Sequence, residues 1–166
     1  MGFIEKFLSL FKENKNEEEI AKAKKENLNF NPKLIPMLKK DHKKLFELYE
    51  ELMEIGKNGE VKEIHDRLVD FKMALEVHLM VEDTQLYGYL KKKYADDKMV
   101  SSFILDVQKE MSTIAKNVLF FIRKYSDARE FQKYKDHFIE DLDSIGKVLS
   151  KRIEMEESRL YTLYQP

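Results

Sequence analysis

His78-Leu79-Met80-Val81-Glu82-Asp83-Thr84-Gln85-Leu86-Tyr87 returns 74 positions later as Arg152-Ile153-Glu154-Met155-Glu156-Glu157-Ser158-Arg159-Leu160-Tyr161. Glu82 is thereby equivalent to Glu156, and His78 to Arg152. Residues four apart share one helix face, so each repeat carries a polar pair on a single face. Two such helices facing one another are how a metal site is built inside a helical bundle. One of the two pairs has an arginine where the other has a histidine. The functional question is whether the site holds a metal ion or has exchanged it for a guanidinium.

Outward from these repeats the chain is patterned in long amphipathic helices. The first is expected over about 33–56, with Leu38, His42, Leu45, Phe46, Tyr49, Leu52 and Met53 on one stripe. The second runs over about 60–93, with Val61, Ile64, Leu68, Phe71, Leu75, His78, Glu82 and Leu86 inward. The third covers about 96–125 through Phe103, Val107, Met111, Ile114 and Val118. The fourth covers about 128–163 through Phe138, Leu142, Ile145, Leu149, Arg152, Glu156 and Leu160. Short connections between long helices favour an all-α, up-down-up-down four-helix bundle over residues 33–166. Sliding the second helix by 74 positions, or the first by 69, superposes the apolar stripes, so the bundle reads as two related hairpins.

Residues 1–32 form a separate N-terminal unit. Phe3, Ile4, Phe7, Leu8, Leu10 and Phe11 give residues 2–12 a short helix with a broad apolar face, suited to folding back on the bundle, to self-association or to a membrane surface. Residues 13–28 are rich in Lys, Glu and Asn, a solvated helix or linker.

Composition narrows the function classes. Thirty basic residues balance 31 acidic ones, which argues against general nucleic-acid binding. There is no cysteine, hence no disulfide, thiolate metal site or cysteine nucleophile. No apolar run approaches the roughly 20 residues of a membrane span. The first residues lack a long apolar run with a small-residue cleavage site, so no secretory signal is expected and the expected location is the cytoplasm. Phosphate loops and nucleophile motifs are not found, so the expectation is a binding or regulatory protein rather than an enzyme.

Five polar residues interrupt the apolar stripes: His42, His78, Glu82, Arg152 and Glu156. Charged groups are costly in a bundle core unless paired or bound to a metal. Two imidazoles and two carboxylates suit iron, zinc or manganese. In one reading His42, His78, Glu82 and Glu156 hold a metal ion. In the other Arg152 sits between Glu82 and Glu156 as a buried ion pair, supplying the metal's charge. His65 and His137 read as boundary or surface residues, and Tyr87, Tyr89, Tyr161 and Tyr164 as packing at the bundle ends.

At Leu34–His42, His78–Tyr87 and Glu156–Tyr161 the chain resembles the hemerythrin-like, His-His-Glu cation-binding family. The resemblance covers residues 34–163, with the second half eroded. It implies a four-helix bundle with a non-haem iron pair, His42 and His78 as iron ligands, and Glu82 and Glu156 as bridges. Met111 and Arg152 stand where the family has histidines. A mononuclear or incomplete di-iron site, or a metal-free descendant, is therefore expected. Its role would be binding or sensing of oxygen, nitric oxide or iron rather than oxygen carriage, with a small diatomic ligand. Around Ser144–Leu160 the chain also resembles the Rsd/AlgQ regulators of the bacterial primary sigma factor. That resemblance implies a regulatory bundle with a protein partner.

Overall fold

Four helical arms make up the computed structural model, which describes residues 29–166. The amphipathic helix expected over residues 2–12 and the charged segment after it lie outside the described residues. The first arm is α1, Leu34–Asn58. A second arm begins as α2, Val61–Val81, passes through a π-helical stretch at Glu82–Tyr87 and ends as α3, Gly88–Lys93. The third is α4, Lys98–Ser126. The fourth comprises α5, Ala128–Tyr134, a 3-10 turn at Lys135–His137, and α6, Phe138–Met155. It closes with a second π-helical stretch at Glu156–Leu160 and a 3-10 turn at Tyr161–Leu163. No strand occurs among the described residues. Helix α1 packs on α2, α2 on α4, α4 on α6 and α6 back on α1, which closes the up-down-up-down ring.

The turns are set by side chains that satisfy free helix-end amides. Glu60 and Glu63 cap the start of α2 reciprocally. Asp97 accepts from the amides of Met99 and Val100 at 3.1 and 3.0 Å. Asp127 accepts from those of Arg129 and Glu130 at 2.8 and 3.1 Å. The Glu130 and Arg129 amides hold the Asp127 carboxyl below its usual range.

The interior is divided into three layers. One apolar cluster gathers Leu45, Leu52, Leu68, Phe71, Leu75, Val118, Phe138 and Leu149. A second gathers Leu34, Leu38, Leu86, Leu90, Ile104, Val107 and Leu160 at the other end. On each arm that carries the repeat, the polar residues fall between the two clusters. His42 separates Leu38 from Leu45, His78 and Glu82 separate Leu75 from Leu86, and Arg152 and Glu156 separate Leu149 from Leu160. Each buried leucine contributes roughly 1.5–3 kcal/mol by leaving water, so the clusters fix the depth at which the polar groups meet.

Four expectations are corrected. Val61 is 38% exposed at the first position of α2, where the buried stripe begins at Ile64. Phe46 is 37% exposed, because the centre of the α1 stripe runs through Leu45, Leu48 and Leu52 rather than beside them. Ile104, not Phe103, is the fully buried residue near the start of α4. The fourth arm is not one helix. A tighter turn separates α5 from α6, yet Phe131 and Phe138 both reach the Tyr125 ring, at 6.2 and 4.9 Å.

Candidate metal centre

His42 enters the polar layer from α1, His78 from the end of α2 and Arg152 from the end of α6. Glu82 and Glu156 are each the first residue of a π-helical stretch. The ligand-type atoms of His42, His78, Glu82 and Glu156 all lie within 4.8 Å of one another, and all four residues are buried. The four residues singled out from sequence thus share one pocket, with Arg152 beside them. His65 meets the Ser126 carbonyl, and the His137 side chain is 64% exposed; neither joins the group.

The imidazoles present Nε2 to the centre and Nδ1 to a carboxylate behind. His42 Nε2 is 3.2 Å from Glu156 Oε2, and its Nδ1 is 2.7 Å from Glu157 Oε1. His78 Nε2 is 3.8 Å from Glu82 Oε1, and its Nδ1 faces Asp41 Oδ2 at 3.7 Å. Backing carboxylates of this kind orient and strengthen metal-bound histidines. The two rings stand 4.7 Å apart, edge to face.

Arg152 pairs with only one of the two acids, which corrects the expected bridge between Glu82 and Glu156. Its Nε donates to Glu156 Oε1 at 2.5 Å. Its remaining nitrogens turn toward the third arm and the first π stretch, donating to the Val107 carbonyl at 2.9 Å and the Tyr87 hydroxyl at 2.8 Å. Glu110 Oε2 is 3.5 Å away. Four of the guanidinium's five N–H donors meet these acceptors, and none meets Glu82. Glu82 is instead served by Tyr161, whose hydroxyl donates to Oε1 at 2.7 Å. Met111 lies beside Arg152, and both line a cavity of about 20 Å³ that His42, His78 and Glu156 also border. That volume holds one water-sized molecule.

Electrostatics separates the two carboxylates. Burial, then the charge of Glu156, pushes Glu82 up to about 7. Burial would raise Glu156 as well, but its hydrogen bond with His42 and the charge of Arg152 outweigh it and hold Glu156 below the usual range. Burial opposes a charged His42, yet Glu156 and Glu157 together raise it. Burial and the charge of Glu82 raise both Tyr87 and Tyr161.

The tyrosines are the functional residues that sequence reasoning missed. Tyr89 and Tyr164 do pack at the end, against each other and Phe30. Tyr87 and Tyr161 do not; they turn into the polar layer. In an α-helix a residue five positions beyond a glutamate points elsewhere, whereas i→i+5 bonding brings it over the glutamate. A hydroxyl two residues past each glutamate accompanies this change. Thr84 donates to the Met80 carbonyl at 2.7 Å, and Ser158 to the Glu154 carbonyl at 2.6 Å. Such bonds to the carbonyl four residues back bend helices. The repeated Glu-acidic-Thr/Ser-x-Leu-Tyr segment is the signal that could have revealed them.

The donor set fits one metal ion. Bonds of about 2.0–2.2 Å place two ligands of one ion about 3 Å apart when adjacent and about 4.2 Å when opposite. The observed spread closes to those values with small side-chain movements. His78 Nδ1 and Glu82 Oε2 are buried without a hydrogen-bond partner, so Glu82 keeps one oxygen uncommitted. Unsatisfied buried polar atoms of this kind mark a missing ion or a functional role. A family model described as the hemerythrin HHE cation-binding domain matches residues 33–164.

The chain belongs to the hemerythrin HHE family. No curated protein and no solved structure matched it in the other two comparisons. The donor group His42, His78, Glu82 and Glu156 lies within the matched residues, with Met111 and Arg152 lining the cavity beside it. No described helix is long and apolar enough to cross a membrane.

Proposed function

We propose that this hemerythrin-like bundle binds one metal ion, iron by the chemistry of its donors, through His42, His78, Glu82 and Glu156. Its role is binding or sensing of iron, oxygen or nitric oxide, not oxygen carriage and not catalysis. The observation that carries the proposal is the convergence of four buried donors with one carboxylate oxygen, Glu82 Oε2, left without a partner. Imidazole plus carboxylate is a common ligand set for non-haem iron. Bound iron supplies a Lewis-acidic centre with room for a small ligand. The protein's own part is orientation and charge. Glu157 and Asp41 back the two imidazoles, Tyr161 fixes one oxygen of Glu82, and Arg152 balances Glu156. Arg152 and Met111 fill the place of a second ion's nitrogen ligands, so one ion per chain is expected.

Elemental analysis of untagged protein, with melting curves before and after reconstitution, tests this. One equivalent of iron and a raised melting temperature are the expected results. No bound metal and no thermal shift with iron or zinc reject the proposal.

A second reading is favoured by the contacts of Arg152 to Glu156, Val107, Tyr87 and Glu110. In it the guanidinium is a permanent substitute for the metal, and the bundle is a regulatory module that binds a protein, such as a sigma factor. Its mark is a metal-free protein as stable as one reconstituted with iron. Capture of that partner from a host lysate is the direct test.

A further inference from the structure

The geometry points to Tyr161 as a fifth ligand, binding iron(III) through its phenolate oxygen beside His42, His78, Glu82 and Glu156. This rests on the single-metal proposal above and names a ligand that it does not contain. The Tyr161 hydroxyl is 2.7 Å from Glu82 Oε1 and 3.2 Å from His42 Nε2. Those separations bracket the roughly 3 Å expected between adjacent ligands of one octahedral ion with bonds near 2.1 Å. The phenolic oxygen thus lies within 3.2 Å of a donor atom on each of two of the four residues, Glu82 and His42. Tyr161 is 4% exposed, and its ring stacks on that of His42 at 5.7 Å and 9°, which fixes the direction of its oxygen.

The repeat supplies an internal comparison. Tyr87 is the equivalent tyrosine of the first half, and its oxygen is occupied by Arg152 at 2.8 Å. Tyr161 has no such cation. The two tyrosines thus stand in matching positions, each beside a positive centre: a guanidinium for Tyr87, and for Tyr161 the ion that the four donors would hold. On binding, the phenolic O–H breaks, an oxygen–iron bond forms and the proton leaves to solvent. No electron is transferred if the iron enters as iron(III).

The test loads the full chain with iron(III) nitrilotriacetate, desalts it and measures iron by elemental analysis beside the visible spectrum. The expected result is one iron per chain with a phenolate-to-iron(III) charge-transfer band. Tyr161→Phe should lose the band, and Tyr134→Phe, half-buried against the first apolar cluster and outside the donor group, should keep it. Circular dichroism checks the folding of each variant. Wild-type protein carrying ring-deuterated tyrosine provides a readout independent of any variant, because the resonance-Raman modes of a bound phenolate must shift on labelling. Iron bound without a band overturns the ligand assignment and leaves the single-metal proposal standing. A band that survives Tyr161→Phe, or one lost in Tyr87→Phe alone, also overturns it. Failure to bind iron at all overturns both.

Discussion

Without metal, this protein should lose stability as pH rises through neutrality, and Glu82 should be the main reason. The folded state raises its carboxyl from 4.5 to about 7, chiefly by burial. Between those values the folded chain holds a proton that the unfolded chain has released. Stability therefore falls across that window and levels off above it. The rise corresponds to roughly 3 kcal/mol. His42 acts in the same direction, because its raised value gives stability that is present below 6.5 and lost as pH rises through the folded value. Glu156 acts oppositely and elsewhere. Its lowered value costs stability only on acidification below 4.5. Urea unfolding with a chelator at about pH 5 and about pH 8 measures the net effect. Glu82→Gln keeps an acceptor for Tyr161 and imitates the protonated acid. It should match the wild type near pH 5 and exceed it near pH 8 by up to roughly 3 kcal/mol. With metal bound the slope should reverse, since the carboxylate must ionise to bind. A metal-free wild type as stable at the higher pH as at the lower, or a Glu82→Gln variant that is weaker there, would refute the reasoning.

Three further outcomes are expected. Arg152→Ala strips the counter-charge from buried Glu156 and the donors from Val107 and Tyr87; it should cost roughly 3–5 kcal/mol in metal-free protein, and a loss below about 1 kcal/mol in urea unfolding would count against a buried pair. Met111→His combined with Arg152→His returns nitrogen ligands to the eroded half, so elemental analysis should rise from one metal per chain to two. At Gly56 an added Cβ would lie 2.6 Å from Cε1 of the Phe138 ring, which is 1% exposed. Gly56→Ala should therefore lower stability by about 1–2 kcal/mol despite its better helix propensity, measured as a drop in melting temperature.

The bundle was legible because the apolar stripes are long and the chain turns at few places. The position of His42, His78, Glu82, Arg152 and Glu156 on inward faces follows from a 3.6-residue period. What was not legible is what departs from that period. Tyr87 and Tyr161 read as end-packing residues because five positions beyond a glutamate is the wrong face of an α-helix. Thr84 and Ser158 accompany the change of period, and the sequence reading assigned them no role. Arg152 was correctly placed at the centre and correctly paired with Glu156, but the expected pairing with Glu82 is not made. Its choice of Glu156, Val107 and Tyr87 depends on which way a long side chain turns inside the layer, and no spacing rule encodes that.

The two halves of the repeat now differ in how they meet one requirement. Each brings a carboxylate into an apolar interior, and each carboxylate needs a positive charge or a proton. Glu156 has Arg152 permanently attached to the same helix, four residues away, and stays ionised. Glu82 has no tethered cation, because the residue equivalent to Arg152 is His78, whose Nε2 stands 3.8 Å off. Its charge is met either by a proton or by an ion from solution, and the two compete for the same oxygens. An arginine in one half thus leaves a single exchangeable cation position in the other. Occupancy of that position must depend on both metal concentration and pH, because below about pH 7 each metal ion that enters displaces a proton from Glu82.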